Sequence, residues 1–152
     1  MYARALAAIA VTAVLSVVGV MAPAAPASAH VGTDPRLTEF LMGVSINGAR
    51  ANAGLAPLQF DGALSDSARA HSADMSATRT LSHTRSLAST VSGPWSAIAE
   101  NVGFGLDPRT IQDFFMSSSI HRANILGNYT RMGIGVVVDS SGVVWVTQRF
   151  VR

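Results

Sequence analysis

Apolar residues recur along this chain with two different periods, and proline, glycine and serine mark where one gives way to the other. From Pro35 to Ala53 the spacing of Leu37, Phe40, Leu41, Val44 and Ile46 predicts a helix with one broad apolar face. Asp34 suits its N-cap, Pro35 its first turn and Gly54 its stop. Leu55 to Phe60 reads as extended, because the residue before Pro57 avoids helical geometry. A second helix is expected from about Asp61 to Thr78, with Leu64, Ala68, His71, Ser72 and Met75 on one stripe. Leu81 to Ile98, rich in serine and threonine and carrying Gly93-Pro94, reads as a long irregular connection. Asp107-Pro108 repeats the cap-then-proline start and predicts a third helix through about Ser118, with Ile111, Phe114 and Phe115 inward. Valine-rich alternation then predicts strands over 132–139 and 143–150, joined at Ser140-Ser141-Gly142 as a hairpin. Helices followed by a closing hairpin indicate an α+β domain.

The first 29 residues stand apart from that pattern. Arg4 precedes an apolar stretch from Ala5 to Met21, and Pro23 and Pro26 lead to the small residues Ala27-Ser28-Ala29. This is the layout of a secretory signal peptide, with a mature chain from His30, a short tail over 30–37 and a domain over 38–152. The alternative is a retained anchor, since the stretch is long enough to span a bilayer if tilted; after cleavage no membrane span is expected. The reading places the protein outside the cell. With no cysteine in the chain, the domain must be stable without disulfides and has no thiolate for a metal. The net charge is only +2, and the arginines form no basic run, which gives nucleic-acid binding no support.

Candidate chemistry lies in three polar islands: Ser82-His83, Glu100-Asn101-Val102-Gly103 and His121 to Leu126. Two histidines and a glutamate can transfer protons or hold a divalent metal. Taken singly, each has a plainer reading. His83 reads as a surface histidine in a loop, Glu100 as a carboxylate that is paired or caps backbone amides, and His121 as a histidine past a helix C-terminus, where its protonated form is favoured. Arg122 and Asn124 read as residues that tie down the turn before the hairpin. His71, on the apolar stripe, reads as a hydrogen-bonded core histidine. No serine carries the neighbours of a nucleophile, and the Gly-x-Ser-x-Gly and His-Glu-x-x-His motifs are absent.

In order and spacing the islands resemble the CAP superfamily (cysteine-rich secretory, antigen 5 and pathogenesis-related proteins), in its cysteine-free bacterial SCP-like branch. The residues that carry the resemblance run from Ile46-Asn47-Gly48-Ala49-Arg50 and Gly54 to Leu58 through Ala68 to Met75. They continue with Ser82-His83, Glu100 to Gly103, His121 to Leu126, Tyr129, Gly133-Ile134-Gly135, Trp145, Gln148 and Phe150. The resemblance implies an α-β-α sandwich with a small antiparallel sheet between helices. It also implies a cleft built by His83, Glu100 and His121, with Asn101, Arg122 and Asn124 beside them. In some members two histidines and two acids of that cleft hold a divalent metal. Here the second acid is missing, because the third helix offers serines at Ser117 and Ser118. A zinc site on His83, His121 and Glu100 is therefore expected to be weak, and no cofactor is required. The leading functional expectation is a non-catalytic extracellular module whose cleft takes a peptide, a lipid or a cell-envelope component. The alternatives are a hydrolase using Glu100, His83 and His121 in acid–base or metal-assisted chemistry, and an envelope-associated structural protein with a vestigial cleft.

Overall fold

A computed structural model describes residues 34–152; the expected signal peptide and the first residues of the tail lie outside it. Helix α1 spans Pro35–Asn52, and the Asp34 carboxylate accepts hydrogen bonds from the backbone N–H groups of Arg36 and Leu37. Strand β1 is only Gln59–Phe60. Helix α2 covers Gly62–Thr78 with Asp61 as its cap. A single 3-10 turn at Leu87–Thr90 interrupts the irregular connection. Strand β2 is Ile98–Gly105, helix α3 Pro108–Ser117 and helix α4 Ser119–Ile125. The hairpin strands are β3, Arg131–Val138, and β4, Val144–Val151.

The sheet order is β1-β3-β4-β2. β4 lies centrally, antiparallel to both β2 and β3, while β1 joins β3 in parallel, so the sheet is mixed rather than wholly antiparallel. Every residue of β4 is buried, as expected of a strand covered on both faces. On one face Met42 and Ile46 of α1, Ile111 and Phe115 of α3 and Ile125 of α4 pack with Val144, Val146 and Phe150. On the other face lies α2, where Met75 meets Val102 and Trp145. Three layers result, the α-β-α sandwich that the resemblance implies.

Helix α2 sits unusually close to the sheet because β3 gives it room. A Cβ at Gly133 would overlap Leu64, and one at Gly135 would overlap the backbone of Ala68 and Arg69. Ser72, at the same contact, donates to the Gly135 carbonyl at 2.9 Å and bonds Thr147 Oγ1 at 2.9 Å. The helix stripe is thus narrow and partly polar. Leu64, Ala68, Ser72 and Met75 are buried, whereas His71 is half-buried, with Nε2 2.8 Å from the Ser82 carbonyl. His71 therefore braces the following loop and is not a core residue.

Several expectations change. The apolar positions Leu37, Phe40, Leu41 and Val44 of α1 are between 49% and 56% exposed, although an apolar helix face ordinarily turns inward. The buried face instead carries Glu39 and Arg50 with Met42 and Ile46. Both charged residues have partners that hold them inside. Glu39 pairs with Arg69 at 2.7 Å and accepts from the backbone N–H of Val136 at 3.1 Å. Arg50 donates to the carbonyls of Ala56, Ile125 and Gly127 at 2.8–2.9 Å. Phe114, expected inward, is 58% exposed. β2 begins where the expected irregular connection ends, at Ile98, in a stretch for which the pattern predicts no element. Its glycines suit tight packing, because a Cβ at Gly103 would lie 2.9 Å from the Phe115 ring.

Two glycine substitutions should act in opposite directions. Gly135→Ala is expected to lower unfolding stability by about 2–3 kcal/mol through overpacking. Gly48→Ala has nothing within 4 Å of the new Cβ and lies inside α1, so it should raise stability by about 0.5–1 kcal/mol. Urea unfolding of the two variants checks both signs.

Candidate functional site

The central feature is a buried carboxylate. β2 places Glu100 on the α2 face, opposite Arg149 of β4, and the two side chains are 2% and 1% exposed. Four donors use the carboxylate. Oε1 accepts from the Thr84 backbone N–H at 2.9 Å and lies 3.0 Å from His83 Nδ1. Oε2 accepts from Thr84 Oγ1 at 2.7 Å and Arg149 Nε at 3.3 Å. Arg149 also reaches Ser67 Oγ at 2.6 Å and Thr84 Oγ1 at 2.9 Å. Burial raises the Glu100 pKa, but the Thr84 backbone and hydroxyl and then His83 outweigh it and hold the carboxyl below its ordinary value. Glu100 is therefore ionised and can only accept, so His83 Nδ1 carries the proton of that bond and Nε2 faces away from it.

On the opposite face of the sheet a chain of amides links four elements. Asn124 of α4 donates to the Glu100 carbonyl at 3.3 Å and to Asn101 Oδ1 at 2.8 Å. Asn101 donates to the His121 carbonyl and to Gln148 Oε1, both at 3.2 Å, and Gln148 donates to Gln112 Oε1 of α3 at 2.7 Å. α4 is thereby tied to β2, which holds His121 at the sheet edge. The His121 ring lies edge-on to Phe115, with centroids 4.9 Å apart. Burial first, and the neighbouring His83 second, lower its pKa, so His121 is neutral at pH 7. That reverses the expectation of a favoured protonated form: His121 lies inside α4, not past a helix C-terminus, and its ring is partly desolvated.

A groove of about 710 Å³ opens beside these residues, between Leu81–His83 on one side and Ile111, Phe114 and His121 on the other. Val102 to Leu106 form its floor. Phe104 and Leu106 are 54% and 76% exposed, so the lining is apolar and open to solvent. Of the six expected cleft residues, His83 and His121 line the groove. Glu100, Asn101 and Asn124 lie behind it as braces. Arg122 is exposed and is not part of the lining.

The three residues considered for zinc are not gathered into one group of ligands. No group of three His, Cys, Asp or Glu among the described residues is arranged to hold a metal ion. Glu100 explains this physically, because its oxygens are already committed to Thr84, His83 and Arg149. A metal would have to displace a buried guanidinium from its only carboxylate, which is costly. The same commitment leaves Glu100 without a free lone pair positioned to activate water.

Sequence reasoning did not single out Arg149 or Thr84. A signal for Arg149 existed: a charge within a largely apolar strand needs a buried partner. Thr84 carried no such mark.

Comparison with known proteins places this geometry in context. The pattern of the cysteine-rich secretory protein family, CAP, matches residues 45–150. The chain is 36% identical over 117 residues to the uncharacterized protein YkwD of Bacillus subtilis (strain 168), covering 69% of this chain and 43% of that protein. The fold resembles an outer surface protein of Borrelia burgdorferi, with TM-score 0.72, 14% identity and coverage of 79% and 96% of the two chains. It also resembles an extracellular SCP-domain protein from Bacillus anthracis, with TM-score 0.68, 23% identity and coverage of 78% of this chain and 41% of that one. At those identities the structural likeness concerns the fold alone. No helix among the described residues is long and apolar enough to cross a membrane.

Coupling between the buried charges is directly measurable. Glu100→Gln and Arg149→Met should each cost about 3–5 kcal/mol, because each leaves the other charge buried and unpaired. The double variant should be more stable than the sum of the two by about 2 kcal/mol or more. Additive losses in urea unfolding would mean that the pair is not coupled.

Proposed function

The chain belongs to the cysteine-rich secretory protein (CAP) family, and from that premise we propose that it is a secreted module that binds an extracellular ligand without turning it over. Residues 1–29 direct export and residues 38–152 form the binding domain. The observation that carries this reading is an open apolar groove beside a carboxylate that is fully engaged in holding the structure. His83 and His121 supply the groove's polar wall. Glu100, Asn101 and Asn124 hold that wall against the sheet. A pocket with apolar walls and a few placed polar groups is the usual form of a ligand site. Acid–base or nucleophilic catalysis requires a group within reach of the reacting atom and free to exchange a proton, and saturation of Glu100 argues against that role. The protein works outside the cell, as its leader and family imply, and its ligand is met there.

An environment-sensitive apolar dye, anilinonaphthalene sulfonate, provides the test. The domain should bind it, and a Leu106→Ser/Phe114→Ser variant should bind it about tenfold or more weakly, a loss of about 1.4 kcal/mol. Peptide and ester panels should show no turnover, with or without added zinc. Unchanged dye affinity in the double variant would put the site elsewhere. Turnover abolished by Glu100→Gln would make the protein an enzyme.

A further inference from the structure

The two edges of the sheet are treated differently. In an antiparallel ladder, alternate residues direct their N–H and C=O groups toward the partner strand, and the others direct them away. The bond from Arg152 N–H to the Ala97 carbonyl, extended through the β2–β4 register, turns Ala99, Asn101, Gly103 and Gly105 toward β4. Ile98, Glu100, Val102 and Phe104 therefore point their backbone groups outward. The bond from Asn124 to the Glu100 carbonyl agrees with that assignment.

The β3 edge is taken up along most of its N–H groups. β1 pairs with its first residues. Ser65 Oγ then accepts from the Ile134 N–H at 3.3 Å, and Glu39 Oε1 accepts from the Val136 N–H at 3.1 Å. In the first half of β2, the Glu100 carbonyl is the one outward backbone group with a hydrogen-bond partner among the described residues, Asn124 of α4, and neither Ile98 nor Glu100 lines the groove. In the second half, the outward groups of Val102 and Phe104 have no hydrogen-bond partner among the described residues. That half forms the floor of the groove. Proteins ordinarily blunt a free edge with charge, proline or a covering element, yet this one is flanked by exposed Leu81, Phe104 and Leu106.

We propose that the groove's ligand is an extended, apolar, neutral-to-basic peptide that adds as a strand to the open edge of β2 at Val102 and Phe104. The proposal rests on the groove reading above and names its ligand class. Strand addition satisfies backbone groups that a lipid chain would bury unpaired. Alternate peptide side chains then meet Leu81 and Phe104 on one side and Ile111 and Phe114 on the other. The groove carries one carboxylate, Asp107, at the end to which β2 leads, and no lysine or arginine. The Asp107 oxygens cap α3 through Arg109 and Thr110, but the group is exposed and stays charged, which disfavours an acidic peptide and favours a neutral or basic one.

A phage-displayed library of random hexapeptides, selected on the folded domain, supplies the probe, and the best sequence is then made with both ends capped. N-methylation of alternate residues gives two versions. The set that removes the N–H groups facing β2 should weaken binding about tenfold or more, and the other set by less than about threefold. Phe104→Pro deletes one outward N–H without touching the ladder to β4, and it should bind about tenfold more weakly than Phe104→Ala, which loses only the ring. Equal effects of the two N-methyl sets, or of the two Phe104 variants, would overturn strand addition. So would selection of no peptide while the dye still fills the groove, and the groove reading would then stand. If the dye also fails to bind, the groove reading falls as well.

Discussion

The buried pairing of Glu100 with Arg149 is the constraint on which the site depends. Neither charge is tolerable alone in the interior, so each fixes the other, and both then organise what surrounds them. Through Thr84 and His83 the pair draws the loop after α2 onto the edge of the sheet. Through Ser67 it ties the same sheet to the middle of α2. The Glu100 backbone carbonyl, on the same residue, receives Asn124 of α4. One residue of β2 thus positions both walls of the groove, one by its carboxylate and the other by its backbone. A glutamate at this position looks like a reactive group in the sequence, and the structure gives it an architectural task.

Much of the fold was legible because local signals agreed with the tertiary outcome. Asp34, Asp61 and Asp107 each cap a helix where the pattern places them, and the valine-rich hairpin pairs along its whole length. The failures have physical causes. β2 contains Glu100, Asn101 and two glycines, a poor strand former on propensity. Pairing with β4 over all eight residues overrides that weakness. The apolar spacing on α1 marks a helix correctly but not the face that is buried. That choice belongs to Glu39 and Arg50, whose partners lie in Val136 and Ile125, far away in sequence. The site residues were found as residue types, whereas their roles depend on Arg149 and Thr84, which no local motif marks.

The family name refers to cysteines that this chain lacks, and the domain uses other means of cross-linking its layers. Arg50 gathers three carbonyls, from the loop after α1, the end of α4 and the turn beyond it, Ser72 bridges α2 to two strands, and the amide chain from Asn124 to Gln112 joins α4 to α3 through β2 and β4. The second half of β2 departs from this satisfaction of polar groups, since its outward backbone remains available where the walls are apolar; Gln112 Nε2 and His121 Nδ1 are likewise buried without a partner among the described residues. Stability and ligand recognition therefore meet on the same strand, with alternate residues serving each.

The most direct test of this account is a carbon-13 NMR titration of the Glu100 carboxyl in the folded domain. A bracing role predicts a midpoint below the ordinary value of 4.5, rising when Arg149 is replaced by methionine. A midpoint near pH 6–7, roughly the range of a poised general base, would contradict it.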